Sequence, residues 1–93
     1  YRLQHELTGP AQYEIIMVNP ISRQQRIYCH VQSTRNSEVL DTQEVKLRPG
    51  GSHVFLVNME QAQAARIIIG SHLVMARPLV FRINNNRMEV FHG

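Results

Sequence analysis

From Gln24 to Ser33 the chain reads QQRIYCHVQS, and apolar and polar side chains trade places at every step. Ile27, Cys29 and Val31 fall on one side, Tyr28, His30 and Gln32 on the other. Extended backbone flips its side chains at each residue, so a period of two commits this stretch to a strand with one buried face. A helix over the same residues would give the apolar trio no common side. A chain built from such pieces must stack sheets to cover their apolar faces.

Further pieces of this kind follow, separated by residues that break or reverse extended backbone. Tyr13 to Asn19 (YEIIMVN) is apolar and is stopped by Pro20. Thr34-Arg35-Asn36-Ser37 reads as a turn. Glu38 to Leu47 reads as two short strands, around Val39-Leu40 and Val45-Leu47, with a polar step at Asp41-Thr42-Gln43. His53 to Asn58 is apolar at alternating and intervening positions alike, which predicts a strand that is central or covered on both sides. Met59 to Ala65 carries the only good helix formers and is too short to stand alone, so one helical turn is expected there. Arg66 to Met75 resumes strand character with an interruption at Gly70-Ser71. Leu79 to Ile83 and Met88 to Phe91 flank Asn84-Asn85-Asn86, whose tolerance of left-handed backbone predicts a hairpin. Pro78 sits at the start of that strand, where a missing N–H does no harm. About seven short strands at regular spacing, without a long helix, predict an all-β, immunoglobulin-like antiparallel sandwich.

The stretch LRPGGSHVFLV, residues 47–57, joins two of these strands. Pro49 pre-sets φ for a turn and Gly50-Gly51 supplies positive φ, so the chain reverses before re-entering a strand at His53. A phosphate-binding loop would need a Lys and a following helix, and neither is present. IIMVNPISRQQRIYCHVQ followed by VKLRPGGSHVFLV resembles bacterial immunoglobulin-like and fibronectin-like modules, in which a strand ends in Asn-Pro and a later strand begins after Leu-x-Pro-Gly-Gly-Ser. The resemblance spans roughly residues 13–57. It implies a non-catalytic module used for contacts or spacing, with a lean towards the cell envelope or the extracellular side. The cysteine–tryptophan–cysteine core of antibody domains is missing, with one Cys and no Trp.

The 93 residues are expected to form a single domain, 1–93, excised from or processed out of a longer chain, with residues 1–11 as a loose N-terminal arm. A hydrophobic content of 43% argues against disorder, and no apolar run approaches the ~20 residues of a membrane-spanning helix. Cys29 has no partner for an internal disulfide and shares the phase of Ile27 and Val31, which predicts a small buried side chain.

Functional constellations are sparse. His5, His30, His53, His72 and His92 show no zinc-site spacing, and Cys29 and His30 point to opposite faces of one strand, so no metal or other cofactor is expected. Ser52-His53 and Ser71-His72 are separated by the same alternation, and no nucleophile elbow is present, so no catalytic residues are assigned and an enzyme is not expected. The net charge is +3, with nine Arg against the single Lys46. A protein partner is the expected ligand, met through edge strands and through Arg82, Arg87, Met88 and Phe91 around the last hairpin, with homo-oligomerisation a further route. The competing reading is an anion- or nucleic-acid-binding face built from Arg23, Arg26, Tyr28 and Arg77.

Overall fold

A computed structural model of the protein describes residues 2–59, 64–84 and 87–92, with backbone alone at 91 and 92. Eight strands lie within them: β1 (Arg2–Thr8), β2 (Ala11–Val18), β3 (Gln25–Ser33), β4 (Val39–Leu47), β5 (Ser52–Met59), β6 (Ala64–Ser71), β7 (Leu79–Asn84) and β8 (Arg87–His92). They form two four-stranded sheets, ordered β1-β6-β3-β4 and β5-β2-β7-β8. Every pairing is antiparallel. The fold is an all-β sandwich, as the period of two requires.

The inward faces follow from that period. Tyr13, Ile15 and Met17 of β2 and Phe55 and Val57 of β5 point to one interior. There they meet Leu7 of β1, Ile27, Cys29 and Val31 of β3, and Ile67 and Ile69 of β6. The chain keeps to one sheet only across β3–β4 and β7–β8, and elsewhere each strand hands over to the opposite sheet. Neither sheet can therefore bury its apolar face before the other exists.

The bends between sheets are tied by a polar residue that is completely buried. The Asn19 side chain donates through Nδ2 to the carbonyls of Arg23, Leu47 and Arg48 at 2.8, 3.0 and 3.0 Å. Its Oδ1 accepts from the Ile21 N–H at 3.3 Å and from Gln25 Nε2 at 2.6 Å. Its backbone N–H donates to Gly51 O at 2.9 Å, while Gly50 N–H donates back to Asn19 O at 3.0 Å. The Pro49-Gly50 bend is closed by Gly51 N–H on Arg48 O at 2.9 Å, with Gly50 at φ 71°. That positive φ after Pro is what a type II turn demands and what glycine supplies. Asn19 thus joins the β2–β3 connection to the β4–β5 bend, so the Asn-Pro and the Pro-Gly-Gly-Ser stretches form one structural unit.

Several expectations need correction. Residues 2–8, read as part of a loose arm, form β1, anchored by the fully buried Leu7. Glu38–Leu47 is not two strands but one, β4, because Asp41–Gln43 keep pairing with β3, with Asp41 and Thr42 exposed and the half-buried Gln43 reaching across to Leu56 O of β5; a register shift opposite Val31/Gln32 absorbs the irregularity. Strand β6 runs through Gly70, whose missing side chain leaves room for the Tyr28 ring, and stops at Ser71, so the expected break falls at its end and residues 72–75 are not strand. Strand β5 is not central: it lies at the edge of its sheet, with Val54 and Leu56 exposed. The strand count rises from about seven to eight through β1. The helical turn expected over Met59–Ala65 falls largely on 60–63, outside the described residues, while Met59 and Ala64 belong to β5 and β6. The Asn85-Asn86 part of the last turn is also outside them, but the pairing of Asn84 with Arg87 makes β7–β8 the expected hairpin.

Candidate interaction surface

Because β5, β2, β7 and β8 are in antiparallel register, residues paired across them share a face. One row runs Leu56–Glu14–Phe81–Val90, a second Val54–Ile16–Leu79, and a third Asn58–Gln12–Ile83–Met88. These rows lie on the side away from the core, which holds the alternate residues Tyr13, Ile15, Phe55, Val57 and Val80. The outward side of a sandwich sheet ordinarily carries polar residues. Here it is apolar across all four strands, with Leu56 at 64%, Met88 at 61% and Val90 at 50% exposure. Contiguous exposed apolar surface of this kind makes this face a candidate contact site.

Within the face, Gln12, Tyr13, Glu14, Leu56, Val57 and Asn58 line a depression of about 270 Å³ between β2 and β5. Glu14 is half-buried in it and is the single Asp, Glu, Lys or Arg on this side among the described residues. Its carboxylate has no hydrogen bond or ion pair among them.

The β7–β8 hairpin reverses the usual polarity. Arg82, Asn84, Arg87 and Glu89 face the sandwich side and line a depression of about 450 Å³. Arg82 donates from Nε to Tyr13 Oη at 3.1 Å and lies 3.9 Å from Glu89. Tyr13 Oη in turn donates to Thr8 O at 3.0 Å and accepts from Thr8 N–H at 2.9 Å. One hydroxyl proton and two lone pairs are all that a phenol offers, so this hydroxyl is fully used. Arg82 and Met88 therefore lie on opposite faces: Arg82 is a strut beneath β7, Arg87 is exposed on the same side, and Met88 joins the apolar face. The Phe91 side chain lies outside the described residues.

The second set of residues divides as well. Arg26 and Tyr28 share the outer face of the other sheet, Arg23 lies in the β2–β3 connection, and Arg77 in the segment before β7. Arg26 sits 3.7 Å from Glu44 with both side chains well exposed, which leaves its charge partly neutralised and the pair of little energetic weight. It lines a depression of about 220 Å³ with Gln24, Gln25 and Lys46. The Tyr28 ring lies over Gly70 and against His30, centroids 4.9 Å apart, so it is packed down on its own sheet.

Cys29 is buried, and its thiol is pushed up to about 12, first by loss of solvent and then by the nearby Asp41 carboxylate. Among the described residues no three His, Cys, Asp or Glu side chains gather where an ion could be held, and no helix is long and apolar enough to cross a membrane. The apolar face is the feature that sequence reading missed. Its signal was the uninterrupted apolar run in β5, Val54 to Val57.

Comparisons with protein-family models, with curated proteins and with solved structures find no match.

Proposed function

We propose that this chain is a non-catalytic interaction or assembly module of immunoglobulin-like type, which binds a protein partner through the outer face of the β5-β2-β7-β8 sheet and the adjoining β8 edge. The observation that carries the reading is the apolar outer face of these four strands, on which Val18, Val54, Leu56, Leu79, Met88 and Val90 are exposed. Burying such residues gains roughly 25 cal/mol for each Å² removed from water, and a protein surface of matching shape is the natural cover. The β4–β5 side of the sandwich is less suited to strand addition. There Gln43 Nε2 already donates to Leu56 O at 2.9 Å, occupying a carbonyl that an added strand would use.

The test is affinity capture with the wild-type chain and two variants in parallel. A protein retained by wild type and by Arg26→Ala/Lys46→Ala, but lost with Leu56→Asp/Val90→Asp, supports the module. The arginine-face alternative takes over if retention ignores the apolar face and random oligonucleotides bind at low salt, with affinity falling steeply as salt is added.

A further inference from the structure

Resting on that reading, we infer that the partner presents an arginine within an apolar segment, seated in the Gln12–Glu14–Leu56–Asn58 depression with its guanidinium against Glu14. The face selects this chemistry by its one charge among the described residues. Glu14 stands at the middle of its row, with Leu56 on one side and Phe81 on the other. An apolar cover placed over the sheet would strip water from a carboxylate with no partner among the described residues, and an isolated buried charge is costly. A cation on the cover removes that penalty. The amides of Gln12 and Asn58, opposite one another in the flanking row, add acceptors beside the carboxylate. A guanidinium forks onto a carboxylate and still has N–H groups for neighbouring carbonyls, whereas an ammonium is a more strongly hydrated point charge, so arginine is preferred to lysine.

Other occupants fit less well. A second copy packed about a two-fold axis through the middle of this face would set Glu14 against Glu14, a like-charge contact in a drying interface. An anionic lipid surface or a nucleic acid would need basic residues, and among the described residues the face has no Lys or Arg.

The probe is a short fluorescent apolar peptide with a central arginine, set against the same peptide with citrulline, which keeps the shape and removes the charge. Binding to the whole chain is followed by polarisation and by NMR shifts of the Gln12 and Asn58 side-chain amides. The arginine peptide is expected to bind about tenfold more tightly than the citrulline peptide, as one charge-assisted contact implies. Glu14→Gln should erase that difference, Glu14→Asp should keep most of it, and Leu56→Asp should weaken both peptides. Equal binding of both peptides, sensitive to Leu56→Asp, overturns the arginine inference and leaves the docking face standing. Failure of every peptide to shift the Gln12 and Asn58 amides overturns both. Self-association of the wild-type chain that strengthens in Glu14→Gln overturns the inference in favour of a second copy, with Glu14 acting as a guard against it.

Discussion

Asn19 and Tyr13 show how much of this fold hangs on single polar groups. Replacing Asn19 by Ala leaves the carbonyls of Leu47 and Arg48 and the amide of Gln25 without their buried partner. We expect a loss of about 3 kcal/mol in urea unfolding, with an unchanged slope. Tyr13→Phe removes the hydroxyl that holds Thr8 and receives Arg82, and about 1–2 kcal/mol should go with it. Cys29 gives a pH signature. Its folded pKa, about 12, lies above the ordinary 9.0, so between those values the unfolded chain releases a proton that the folded chain keeps. Stability should be independent of this thiol below pH 9 and fall by roughly 1.4 kcal/mol per unit above it, a trend that Cys29→Ala removes. The burial of Cys29 was legible from its phase with Ile27 and Val31. The role of Asn19 was not, because Asn before Pro looks like a strand ending and its partners at 47 and 48 arrive only through tertiary closure.

For the elements, alternation was a good guide to which side chains share a face and a poor one to what covers that face. β3 behaves as its period of two demands, and the β7–β8 hairpin forms as its turn chemistry demands. In β5 the doubly apolar pattern suggested a covered strand, yet the strand is an edge whose second face is open. Arg82 was read as a surface anchor because periodicity sets phase and cannot say which phase faces the core. The two faces of β5 should separate on mutation. Phe55→Ala empties a fully buried site and should cost about 3–5 kcal/mol, whereas Leu56→Lys should change stability by no more than about 0.5 kcal/mol, both measured by urea unfolding. β1 was hidden because its period of two is short of apolar residues: Leu3, His5 and Leu7 face inward, the middle one is a histidine, and only Leu7 is fully buried.

For the molecule as a whole, the interleaving of strands between sheets means that few native contacts are local. Folding should therefore be slow for a chain of this size, on the order of milliseconds to seconds in stopped-flow refolding. The all-β sandwich was legible because turn signals and alternation agree along most of the chain. The apolar outer face was legible only in part, since its nine apolar residues are dispersed over four strands, and β5, β2 and β7 meet through pairings between segments far apart in sequence. A layer that is greasy above and below has one interior of its own and, under the proposed function, a second that is borrowed. Overproduced without whatever lends the second, the polypeptide should foul columns and drop out of concentrated stocks while its spectrum still reports native structure, and a mild detergent or co-production with its mate should keep it dissolved.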